Sequence, residues 1–258
     1  MVWRRLIRIG FQQQSSYAWA TVISGLVGTL YAFLYLALWQ AVAPAEGAPP
    51  YSRTMLGEMV VLTQILGAVA LFLPAGLGVH QSVRTGALAV ELARPISFYG
   101  ATISRAAGQL LHLALFRCLP IALVLGISVG LPKPASGLRL AGALLSLGFG
   151  IYCALALHFL MGLSALWTGQ IRWVHWLFMS ITQFLSGGWI PFEVLPTWLR
   201  PIAFYSPMAS QMGHAVRLYQ GIGGSEALLL PLLWAIILSA LVHVMTRAAL
   251  RQVEIQGG

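Results

Sequence analysis

Six stretches of this chain are long and apolar enough to span a bilayer, and nothing else in the sequence limits its fold so tightly. They run over Tyr17–Val42, Met55–Val79, Ala106–Leu131, Leu138–Trp167, Val174–Ile190 and Ala227–Met245. At about 1.5 Å rise per residue the first exceeds the ~30 Å hydrocarbon core and spans it with some tilt. It is too long for the apolar region of a signal peptide, so it is expected to remain as the first membrane helix. With 59% hydrophobic and only 8% charged residues, the chain holds more apolar sequence than a soluble core of 258 residues would bury. The expected fold class is an all-α polytopic membrane protein with six transmembrane helices, a single transmembrane domain over residues 1–258.

An even number of spans puts both termini on one side. Placing them in the cytoplasm puts Arg4, Arg5, Arg8, Arg84, Arg94, Arg105, Arg172, Arg247 and Arg251 inside. Arg53, Lys133, Arg139, Arg200 and Arg217 then lie outside, an asymmetry that agrees with the preference of basic residues for the cytoplasmic face. The formal charge of +9 follows this sidedness and is not clustered on a soluble module, which argues against nucleic acid as a partner. Cys118 and Cys153 both fall inside apolar runs and imply packing, not a disulfide framework.

Three segments depart from plain membrane helix. Residues 1–15 place Arg4, Arg5, Arg8 and Gln12 on one helical side and Trp3, Leu6, Ile7 and Phe11 on another, which suits an interfacial helix in the headgroup layer. Residues 83–97, VRTGALAVELARPIS, read as a short cytoplasmic amphipathic helix: Thr85 is placed to cap it, Leu88, Leu92 and Ile96 recur at four-residue spacing, and Pro95 ends it. Its polar side offers Arg84, Glu91 and Arg94; a solvated interfacial loop is the alternative. Residues 187–212 follow Gly187-Gly188 with Pro191, Pro196, Pro201 and Pro207 in an apolar, Trp-rich sequence that cannot form one straight helix. Since broken backbone at membrane depth needs protein or a wet cavity around it, this reads as a re-entrant outer hairpin between helices five and six. Its rings, including Trp189, Phe192, Trp198, Phe204 and Tyr205, fit either an outer gate or an interfacial anchor. In helix four, Gly142, Ser146, Gly150, Ala154, His158 and Gly162 form a ridge of mostly small residues, either a helix–helix seam or a pore lining.

Arg117 lies within the third span, where an arginine at the bilayer centre costs about 2.5–3.5 kcal/mol on insertion scales. It must face a hydrated cavity, a partner or an interface, and it either lines a substrate path or serves as a structural or snorkelling cation. Pro120, three residues on, frees the carbonyl of Phe116 and is placed to bend that helix.

Several chemistries find no support. The single lysine, Lys133 in LPKPAS, is not in a phosphate-binding GxxxxGK[ST] loop, so the chain is not itself an ATPase. There is no Asp, and of the glutamates only Glu58 falls in a span, near its outer end, which weakens an ion-coupled carrier or channel as the alternative function. His80, His112, His158, His175, His214 and His243 are scattered singly, without a hydrolase or metal-ligand spacing. No catalytic residue, metal site or cofactor is expected in this chain.

Taken together, GALAVELARPIS, SGGWIPFEVLPTWLRPIAFYSP and the closing RQVEIQGG resemble the membrane subunit of ABC transporters of the ABC-2 family, over essentially the whole chain. The resemblance implies a plasma-membrane permease working as a dimer with the same or a related chain. It also implies two separate ATPase subunits that bind ATP and Mg²⁺, and export of lipids, polysaccharides, antibiotics or other amphipathic compounds. It assigns ATPase coupling to Arg84, Leu88, Glu91, Leu92 and Arg94. Beside it stand Arg117 as the candidate for the substrate path, and Gly187, Gly188, Trp189, Pro191, Glu193, Trp198 and Tyr205 as the candidate outer gate.

Overall fold

The computed structural model describes residues 2–42, 52–70 and 72–256. In chain order it contains α1 (Val2–Ser15), α2 (Ala18–Val42), α3 (Arg53–Ala70), α4 (Val79–Arg84), α5 (Ala87–Leu92), α6 (Phe98–Leu113) and α7 (Leu119–Ser128). There follow α8 (Gly137–Leu163), α9 (Ala165–Thr168), α10 (Arg172–Leu185), α11 (Leu199–Phe204), α12 (Pro207–Tyr219) and α13 (Glu226–Gln256). No strand occurs among the described residues.

Among the described residues five helical stretches have the length and apolarity to cross a membrane: Ala18–Val42, Arg53–Arg84, Phe98–Ser128, Gly137–Thr168 and Glu226–Ala249. Their outward faces are apolar, as with Trp19, Ile23, Leu26, Leu30 and Leu34 exposed along α2, which is what a lipid-facing helix requires. The fifth stretch expected from the sequence, Val174–Ile190, holds a helix of only 14 residues, α10, ending at Leu185. At 1.5 Å per residue it rises about 21 Å, short of the hydrocarbon thickness. The chain then turns away at Gly187, whose φ of 75° is left-handed.

The third stretch begins at Phe98, eight residues before the expected start. Ser97 accepts the backbone N–H of Gly100 on its hydroxyl and caps the helix, and Arg105, read as a break, sits inside the helix because Glu91 pairs with it at 3.2 Å. α1 lies across this helix. A Cβ on Gly108 would meet the carbonyl oxygen of Ile7 at 1.9 Å, and one on Gly10 the carbonyl oxygen of Arg105 at the same distance, so the two backbones touch. Arg4, Arg5 and Arg8 remain exposed on the far side of α1.

The core is organised by α12, which the sequence reading did not single out as a helix. Nine of its 13 residues are buried, among them Ser210, Gln211 and His214. It packs along α8, and the ridge read from the sequence supplies the seam: a Cβ on Gly150 would stand 2.3 Å from the carbonyl oxygen of Ser210. Higher on the same ridge, Ser146 serves α13. Pro231 lacks the N–H that would close on the carbonyl of Ala227, and the Ser146 hydroxyl donates to that oxygen at 2.9 Å. Toward the C-terminal end of α8 Gly162 abuts the turn Ala75–Gly78, with its Cβ position 2.4 Å from the carbonyl oxygen of Gly76. The ridge is therefore a helix-packing seam, not a pore lining. α13 continues as helix to Gln256; the two glycines that close the tail, residues 257–258, lie outside the described residues.

Candidate functional site

The third membrane stretch changes hydrogen-bond register at Ala114–Cys118, a π turn between α6 and α7 in which the N–H of Leu119 reaches the carbonyl of Ala114. Pro120 supplies the reason, since it donates no hydrogen bond and its ring crowds the preceding turn. The distortion falls on Arg117 and turns it into the protein. The residue is 8% exposed, its Nη1 donates to Ser24 Oγ at 3.2 Å, and its guanidinium carbon lies 3.3 Å from the centroid of the Phe72 ring. Its Nε, also buried, has no hydrogen-bond partner among the described residues.

Arg117 stands at one end of a cavity of about 560 Å³ lined by α2, α3, the π turn, α7, α10 and α12. Ser24, Gln64 and Phe72 accompany it; Val27, Tyr31, Ile121 and Met212 form apolar walls; Gln183, Gly188, Trp189 and Tyr35 close the other end. The Tyr35 and Trp189 rings meet at 6.3 Å and Phe184 approaches Trp189 at 5.4 Å, while Trp39 Nε1 donates to the Trp189 carbonyl at 3.2 Å. From Ser24 to Tyr35 along α2 is about 16 Å. Two features read separately in the sequence, the buried arginine and the Gly-Gly-Trp turn, are thus the two ends of one chamber.

The candidate gate residues divide. Gly187, Gly188 and Pro191 are buried and Trp189 half-buried, and the turn they form clasps α12 at Gly213, where a Cβ would meet the carbonyl oxygen of Ser186 at 2.4 Å. Glu193 pairs with Arg217 of α12. Trp198 and Tyr205 are instead exposed at either end of α11, at 68% and 59%, and do not line the chamber.

The segment 83–97 also differs from its sequence reading in detail. Thr85 does not cap the short helix: its hydroxyl donates back to the Gln81 carbonyl at the end of α4, and Gly86, with φ 73°, precedes α5. Leu88 is buried with Val79, Phe98 and Phe159, and Leu92 packs beside them, so the apolar side anchors α5 to its own bundle. Glu91 is engaged by Arg105. What remains outward is Arg84, Arg94 and Val90.

Histidines that look isolated in the sequence are partly gathered: His158 and His175 face each other at 6.4 Å. Among the described residues no group of three or more His, Cys, Asp or Glu is placed to hold a metal ion.

Membrane-length helices define a multi-pass membrane protein, and a cavity among them reaches from a buried cation to a pair of aromatic rings. The chain belongs to the ABC-2 family of transporter proteins, whose model matches residues 15–257, and it is accordingly a membrane permease component of an ABC transporter. No curated protein matches it.

Proposed function

We propose that this permease forms the membrane path of an exporter of amphipathic compounds, driven by a separate ATPase that carries ATP and Mg²⁺. The single observation that supports this reading most is the chamber itself: an apolar, ring-lined volume with a few polar groups, within the 300–1,000 Å³ range of small-molecule sites. In this reading α10, the Gly187–Trp189 turn and α12 make up the re-entrant outer hairpin and complete a six-span arrangement with both termini cytoplasmic. The half-buried Trp189 then acts as the outer closure, and a second permease copy or a related chain completes the transporter in the plasma membrane.

The ATPase makes contact through residues 83–97. Arg84, Val90 and Arg94 present a mixed basic and apolar surface, and Leu88 and Leu92 pass its displacement to the bundle by being packed into it. Because α5 leads through a few residues into α6, which continues to the π turn at Arg117, a push on α5 is delivered to the chamber by one helix.

The test is purification from a mild detergent extract. Co-elution of an ATPase whose hydrolysis is lost with the permease supports the reading. A chain that transports in vesicles without any ATPase is instead a carrier or channel.

A further inference from the structure

We infer that the chamber takes an amphipathic anion, with one acidic headgroup, phosphate or carboxylate, against Arg117 and an apolar tail directed toward Trp189. This rests on the chamber being the transport path and names the class of compound it carries.

The argument starts from charge. An arginine keeps its proton in proteins, and a cation at membrane depth needs a counter-charge or water. Arg117 is 92% buried, and among the described residues the partners it has are the neutral Ser24 hydroxyl and the face of Phe72, with Nε unpaired. Among the described residues no carboxylate lines the chamber. Among the described residues Glu91 is engaged by Arg105, Glu193 by Arg217, and Glu226 by the N–H of Gly224, while Glu58 is on α3 about 9 Å outward of Gln64 by helical rise. Among the described residues the buried charge thus lacks an internal anion.

Shape and chemistry complete the case. Arginine offers five donors in a planar fork, of which the Ser24 contact uses one, so the fork retains the geometry that binds carboxylate or phosphate bidentately. Its Nη2 lies 3.9 Å from where a Cβ on Gly28 would stand, on the chamber side of α2. Beyond it, Val27 and Ile121 give way to the Tyr35–Trp189 pair, an apolar channel about 16 Å long that suits a hydrocarbon tail. A cationic amphiphile would meet Arg117 as a like charge, and a neutral one would leave it uncompensated.

The test uses the purified full-length chain in neutral maltoside micelles, titrated with dodecyl phosphate, dodecylphosphocholine, dodecyltrimethylammonium and inorganic phosphate, with the thermal-unfolding midpoint as readout. Dodecyl phosphate is expected to raise Tm saturably, with the two other amphiphiles without effect. Its affinity should fall at least about tenfold in Arg117→Gln, the loss of one charge-assisted hydrogen bond, and be largely kept in Arg117→Lys. Equal binding by Arg117→Gln, or equal binding of the zwitterionic or cationic analogue, overturns the proposal. Inorganic phosphate acting as well as dodecyl phosphate removes the tail and leaves a free-anion site, which also overturns it. Should Arg117→Gln not fold, Gly28→Leu decides: its side chain enters the chamber beside Arg117, and undiminished dodecyl phosphate binding refutes the inference. Binding is read without the ATPase, so a chain that recruits an ATPase but ignores dodecyl phosphate sinks this inference alone. One that binds dodecyl phosphate and recruits no ATPase sinks the exporter reading instead.

Discussion

The hydroxyl of Ser146 donates to the carbonyl oxygen of Ala227, the acceptor that Pro231 leaves open in the last membrane helix. Ser146 is fully buried, so neither group has water to fall back on. Ser146→Ala is expected to destabilise the protein by about 1–3 kcal/mol, the cost of an orphaned buried acceptor. Pro231→Ala restores an N–H within reach of that carbonyl. In a double-mutant cycle by denaturant titration in micelles, the Ser146→Ala penalty should largely vanish in the Pro231→Ala background. Additive losses would show that the hydroxyl has no special tie to the proline.

A second expectation concerns the seam between α8 and α12. Gly150→Ala places a methyl where the Ser210 carbonyl already stands, and α12 must move as a body, costing about 1–3 kcal/mol or more. Gly148→Ala, two residues from Gly150 and with nothing within 4 Å of the new methyl, should be neutral or slightly stabilising. Thermal unfolding of the two variants side by side checks this, and equal midpoints would contradict the packing described.

Coupling and stability should separate within α5. Leu88→Ala removes a buried side chain and should cost about 2–5 kcal/mol of permease stability, seen in the isolated chain. Val90→Asp with Arg94→Glu alters only exposed groups, so the isolated chain should unfold as before while the ATPase is lost from the purified complex. If the exposed pair has no effect on the ATPase, contact lies elsewhere.

Accessibility should divide residues 187–205 in the same way. In a background with Cys118 and Cys153 replaced, a cysteine at Trp198 or Tyr205 should react quickly with an impermeant maleimide. One at Gly188 should be protected, since Gly188 is buried under Met212. Labelling rates from intact cells give the comparison; uniform rates along residues 188–205 would argue against a folded hairpin.

Much of this protein was legible in its residues because bilayer physics acts locally. Runs such as Tyr17–Val42 declare themselves by length and apolarity, Pro120 marks the break beside Arg117, and the small-residue ridge of α8 announces close packing. The same local rules overran where a neighbour decided the outcome. Arg105 looked like a helix boundary until Glu91, fourteen residues earlier, took up its charge; Leu88 and Leu92 looked available to a partner until Phe98 and Phe159 covered them. α12 was hidden most completely. Its Ser210, Gln211 and His214 give it the polarity of a surface loop, and it is buried only because Gly150 and Gly213 let α8 and the Ser186–Trp189 turn close on it. Sequence by itself determined the class of protein, five of the six expected membrane helices and the presence of a costly arginine. That Arg117 and Trp189, 72 positions apart, stand at opposite ends of one chamber was decided by tertiary structure alone, because enclosure depends on distances between helices and no helix carries that information in its own spacing.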